Sequence, residues 1–77
     1  MVREYLTLLR AQRNESQQDV ADALGVSRQY YGMIESGDRQ KKMDIALISA
    51  IATHFGLSMA EIVKYEHEIT QMEVTLH

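Results

Sequence analysis

The side chains able to ligate a metal or move a proton are few. His54, His67 and His77 lack the spacing of a metal site, and in a chain without cysteine a zinc ion would need carboxylates from the C-terminal tail. No metal and no other cofactor is expected. Glu66, His67 and Glu68 imitate an acid–base cluster, but three successive polar residues of this kind are the ordinary make-up of a solvated helix end. Glycine-rich phosphate loops, nucleophile elbows and zinc-protease patterns are missing, so the chain is expected not to be an enzyme. Tyr30 and Tyr31 could stack on unpaired bases, yet Tyr31 falls at a core position and breaks the platform.

The elements that must position any remaining chemistry are helices. Ser16 precedes Gln17-Gln18-Asp19, and Ser58 precedes Met59-Ala60-Glu61, two capping-box arrangements that place helix starts. Ser27 is a third N-cap, with Val26 and Tyr31 in the places of a hydrophobic staple; Leu57 and Ile62 repeat the staple around Ser58. Gly25, Gly37 and Gly56 each follow an apolar-periodic segment where a left-handed residue ends a helix, and Asn14 serves the same end less well. Between these marks run five stripes at helical spacing. They are Val2, Leu6, Leu9; Val20, Ala21, Leu24; Tyr31, Ile34; Ile45, Ile48, Ile51, Ala52, Phe55; and Met59, Ile62, Val63. No short helix buries its stripe alone, so the expected fold is all-α, a compact five-helix bundle around one core. The last residues are ambiguous. Tyr65, Ile69, Met72 and Leu76 make a helical stripe, whereas Met72, Val74 and Leu76 alternate as a strand does.

Seventy-seven residues without proline or cysteine leave room for one small domain held by packing, since a chain of this size buries only about 60% of its unfolded surface. The expected division is a domain over 1–66 and a tail over 67–77. The start, Met1-Val2-Arg3-Glu4, lacks the apolar stretch of a signal peptide, and no run approaches the ~20 apolar residues of a membrane span. A soluble cytoplasmic protein with no membrane partner and no evident small-molecule ligand is expected. Net charge is −3, which taken as a total disfavours nucleic acid. By position it separates: seven basic against six acidic residues through Lys42, then Lys64 alone against Asp44, Glu61, Glu66, Glu68 and Glu73.

The second and third segments are joined by only Gly25-Val26-Ser27, the short glycine-led turn of a helix-turn-helix. The stretch from Ser16 to Gly37, SQQDVADALGVSRQYYGMIESG, strongly resembles that motif in the phage lambda repressor and Cro family, also called the xenobiotic response element family. Ile51-Ala52 followed by Phe55-Gly56-Leu57-Ser58 is similar to the same family's fourth-to-fifth helix junction, so the likeness spans roughly residues 2 to 64. The loop Asp38-Arg39-Gln40-Lys41-Lys42 departs from it in lacking a proline and in being longer. The resemblance implies a transcriptional regulator of bacterial or phage type, expected to be a repressor, that binds double-stranded DNA as a homodimer on a palindromic operator.

In such a motif the second helix enters the major groove with its N-terminal residues at the base edges. With Val26, Tyr31 and Ile34 inward, Arg28, Gln29, Gly32 and Met33 face outward and Tyr30 stands at the margin. Arginine matches guanine's two acceptors, glutamine matches adenine's acceptor and donor, and Met33 suits a thymine methyl. Gly32 either lets the backbone lie close to the groove or avoids a clash inside the protein. Gln17 and Gln18, in the first turn of their helix, suit a phosphate, and the family's glutamine at the Gln17 position meets the DNA backbone. Ser27, Arg39, Gln40, Lys41, Lys42 and Arg13 are the other phosphate candidates. In several family members an arginine of the first helix and a glutamate ending the third form a partly buried ion pair, and Arg10 and Glu35 hold those positions. Dimerisation is expected of the C-terminal part, with Leu57, Met59, Ile62, Tyr65, Ile69, Met72, Val74 and Leu76 as candidates. A different class of reading is an antitoxin or anti-repressor whose acidic C-terminal part binds a protein partner while the helix-turn-helix regulates its own promoter.

Overall fold

Local capping chemistry sets where every helix after the first begins. In the computed structural model, which describes residues 2–76 and the side chains through Ile69, the helices are α1 (Glu4–Gln12), α2 (Gln17–Leu24), α3 (Arg28–Ser36), α4 (Ile45–Phe55) and α5 (Met59–Leu76). Ser16 Oγ accepts from the Asp19 N–H at 3.0 Å while Asp19 accepts from the Ser16 N–H at 2.8 Å, a complete capping box. Ser27 Oγ accepts from the Tyr30 N–H at 3.0 Å, and Ser58 Oγ from the Glu61 N–H at 3.1 Å. Asp44, which the sequence offers only as a charge, caps α4 through the Leu47 N–H at 2.7 Å. Left-handed residues end the helices as expected, Gly25 at φ 75° and Gly56 at φ 68°, and Asn14 at φ 54° turns the chain after α1.

The core gathers one apolar face from each helix: Tyr5 and Leu6, Val20 and Ala21, Tyr31 and Ile34, Ile48, Ile51, Ala52 and Phe55, and Ile62. Burying each large side chain stabilises by roughly 1.5–3 kcal/mol, so these dominate a domain of this size. α2 packs chiefly on α3, and the chain bends by 113° between α4 and α5. The first stripe is shifted from expectation. Val2 is 60% exposed and Arg3 is wholly buried, because α1 starts only at Glu4 and the residues before it are outside the helical register.

The C-terminal ambiguity resolves as helix, since α5 runs without a break through Leu76 and has no boundary at Glu66. Several residues expected at a dimer contact also pack within the protomer. Ile62 is 0% exposed in the core, and the Tyr65 ring stacks on Tyr5 of the same chain, centroids 4.9 Å apart. Leu57 and Ile69 are half-buried against the same core, whereas Met59 remains 39% exposed. The side chains of Met72, Val74 and Leu76 lie outside the described residues. No single described helix is long and apolar enough to cross a membrane.

Candidate nucleic-acid interface

The turn Gly25-Val26-Ser27 sets α3 across α2 and leaves the outer side of α3 uncovered. Arg28 and Gln29 are exposed in its first turn. Gln29, Tyr30 and Met33 line one open groove together with Ser27 and Arg39, so candidates for base contact and for phosphate contact stand on a single surface. Arg28 lies beside that groove rather than in it. Lys41 and Lys42 line a different groove, with Met43, Ile48, Val63, Glu66 and His67, where the loop meets α4 and α5.

Four of the phosphate candidates also have partners within the protein. Arg13 pairs with Glu15 at 2.9 Å and lies over the Phe55 ring, 5.8 Å from its centroid, which holds its charge at the end of α4. Gln40 sits at φ 56°; its side-chain amide donates to the Tyr30 hydroxyl at 2.9 Å and accepts from the Asp44 N–H at 3.4 Å, so it shapes the loop. Gln17 donates to Glu35 Oε1 at 3.1 Å from its half-buried place under α3. Gln18 donates to Asp22 at 2.7 Å on an exposed face.

Glu35 is the hub beneath the reading helix. Arg10 Nε reaches its Oε2 at 2.6 Å and Arg10 Nη2 its Oε1 at 3.2 Å, a bidentate pair, while Thr7 donates to Oε1 at 3.3 Å. Arg10 Nη1 also donates to the Glu15 carbonyl at 3.1 Å, tying the α1–α2 turn to the pair. Burial pushes the Glu35 carboxyl up, but the Arg10 guanidinium, with the Tyr31 hydroxyl and the Gln17 amide beside it, outweighs burial and holds its pKa below the usual value. The Tyr31 hydroxyl abuts this pair without a well-aligned hydrogen bond, and burial first, then Glu35, raises its own pKa. His54 Nε2 approaches Glu15 Oε2 to 2.8 Å without a well-aligned hydrogen bond.

Arg3 and its partners were not legible as functional residues. The Arg3 guanidinium reaches Glu66 on α5 and the carbonyls of Ile34, Arg39 and Gln40, and Glu66 also accepts from the Tyr5 hydroxyl. Nothing in a start reading Val-Arg-Glu separates this arginine from a solvated one. Among the described residues no three His, Asp or Glu side chains gather closely enough to hold a metal ion.

Gly32 faces α2. A Cβ built there would meet the Gln17 amide at 3.6 Å, ordinary van der Waals contact, so crowding within the protein does not require glycine. Gly32→Ala is expected to raise the thermal midpoint, worth up to about 1 kcal/mol from helix propensity. Weaker DNA binding is expected to accompany it, and a fall in the midpoint would restore internal crowding as the reason.

Two capped helices joined by a three-residue turn, the second presenting hydrogen-bonding side chains beside a cationic loop, define the helix-turn-helix class. The profile of the helix-turn-helix family matches residues 6–62, and the chain belongs to that family, in its lambda repressor/Cro-like form. It is a DNA-binding transcription regulator. No curated protein matches the chain.

Proposed function

We propose that the protein is a sequence-specific repressor of bacterial or phage type that acts in the cytoplasm, binding a palindromic operator as a two-fold homodimer with α3 in the major groove. The groove shared by Gln29, Met33 and Arg39 carries this reading, because it sets side chains that match base edges beside a cation that suits a phosphate. Gln29 reads adenine, Arg28 guanine and Met33 a thymine methyl, with Tyr30 packed at the edge. Ser27, Gln18, Arg39, Lys41 and Lys42 meet phosphates, and Gln17 does so from under α3. One reading helix spans too few base pairs for useful specificity, so two copies bind half-sites about 34 Å apart. Residues 1–66 form the DNA-binding part and the end of α5 beyond it pairs the copies, with Met59 at the margin.

Selection of bound duplexes from a random pool tests this reading, with an inverted repeat as the expected product. On the selected site Gln29→Ala is expected to lose about 1 to 3 kcal/mol and on random DNA nothing, whereas Lys41→Ala weakens both alike and lowers the salt slope by roughly one. Equal behaviour of the two variants on both duplexes would end the division of roles. Light scattering that finds only monomer at high concentration would end the homodimer.

A further inference from the structure

We propose that Arg3 is a positioning residue for DNA binding: it grips the backbone of the loop after α3 from beneath and so aims the Arg39 side chain at the edge of the reading groove. The proposal rests on the reading of that groove as the DNA face. Arg3 itself is 0% exposed and touches no ligand.

Burying a guanidinium is unfavourable unless its donors are met, and here they are met by backbone. Arg3 Nη1 donates to the Ile34 carbonyl at 2.7 Å and to the Arg39 carbonyl at 3.3 Å, and Nη2 donates to the Gln40 carbonyl. The Arg3 N–H donates to the Glu35 carbonyl at 2.7 Å, and the Arg39 N–H to the Met33 carbonyl at 3.2 Å. The Met33, Ile34 and Glu35 carbonyls at the end of α3 thus accept from Arg3 and from the very residue it positions, with Ser36 Oγ also on Met33 and the Gly37 N–H also on Ile34. Gln40 adopts φ 56°, a left-handed conformation that a non-glycine residue keeps only where its surroundings hold it. Arg3 on its carbonyl, and Tyr30 and Asp44 on its side chain, are those surroundings.

The Nε donor points the other way, to Glu66 on α5 at 2.8 Å, and fixes the orientation of the planar fork. A lysine at this place has one nitrogen and cannot span carbonyls on α3 and two loop residues while facing Glu66. The loop that carries Arg39 is therefore set by a side chain from the N-terminal segment, oriented by α5, together with the loop's own Gln40.

A double-variant cycle between Arg3→Lys and Arg39→Ala tests the clamp, using the full chain, the duplex that the wild-type protein selects from a random pool, a random-sequence duplex, and a salt titration of each. Arg39→Ala is expected to weaken binding about tenfold and lower the salt slope by roughly one, as the loss of one phosphate contact does. Arg3→Lys, shown by its melting curve to be folded at the binding temperature, is expected to reproduce both changes. The double variant is expected to bind no more weakly than Arg39→Ala alone, because the two act through one contact. Losses that multiply in the double variant, or an Arg3→Lys protein that binds with wild-type affinity and slope, overturn the clamp and leave the groove reading intact. An Arg39→Ala protein that binds as wild type overturns both, since the clamp then has nothing to aim. Should Arg3→Lys fail to fold, Glu66→Gln, which removes only the charge that orients the fork, takes its place in the cycle with the same expected and overturning results.

Discussion

Arg10→Met is expected to lower folding stability by about 3 to 5 kcal/mol, a large part of the 5–15 kcal/mol that holds an ordinary small domain. Its side chain is 17% exposed and that of Glu35 8%, so removing the guanidinium leaves a carboxylate with little water and only Thr7 and Gln17 as donors. The pH dependence has a definite sign. Glu35 has a folded-state pKa below the ordinary 4.5, so the stability it supplies is fully present above that value and is lost as pH falls through the lowered one. In Arg10→Met the lowering contact is gone while burial remains, so Glu35 takes up its proton at higher pH and the gap between variant and wild type narrows on acidification. Urea unfolding at neutral pH and at about pH 3 measures both parts. A loss under about 1 kcal/mol, or a gap that is constant with pH, would show that Arg10 is ordinary surface charge. Because the pair lies under α3 and its arginine also holds the α1–α2 turn, Arg10→Met protein that stays folded should bind DNA with the reading helix less firmly seated.

The starts and stops of helices are legible because capping is a contract between residues three apart. Ser16, Ser27 and Ser58 announce their helices by side-chain chemistry alone, and Gly25 and Gly56 end theirs by backbone freedom alone. Arg10 and Glu35 were legible through resemblance, since nothing local links residues 25 apart. Arg3 was not legible in either way. Its partners lie 31 to 63 positions distant and three of them are backbone carbonyls, which carry no sequence signature. Asp44 was hidden by the charged loop before it, where one more acid reads as solvent-facing. The phosphate candidates were hidden differently: Arg13 and Gln40 have the right chemistry for an anion, and nothing local shows that Glu15 accepts from Arg13, that the Tyr30 hydroxyl accepts from the Gln40 amide, or that the Asp44 N–H donates to the Gln40 amide oxygen.

Apolar periodicity reports which face of a helix is buried and is silent on what buries it, and Ile62 is where that distinction has the largest consequence. Its place on the fifth stripe suits a contact between copies, yet its side chain is wholly buried in the protomer with Ile48, Ile51 and Phe55 among the core residues. Ile62→Ala is expected to cost about 2 to 5 kcal/mol, the transfer of the lost methyl groups plus the cavity left where neighbours relax only in part. Core and dimer roles separate by mass action. A core defect lowers the melting midpoint by the same amount over a roughly hundredfold range of protein concentration, whereas a defect in the contact between copies fades where the protein is diluted to monomer. Met59→Ala, at a residue still partly exposed, is expected to change monomer stability by less than about 0.5 kcal/mol. An Ile62→Ala protein with the wild-type midpoint at low concentration would return Ile62 to the interface between copies. The expected result instead ties the start of α5 to the folding of the DNA-reading domain.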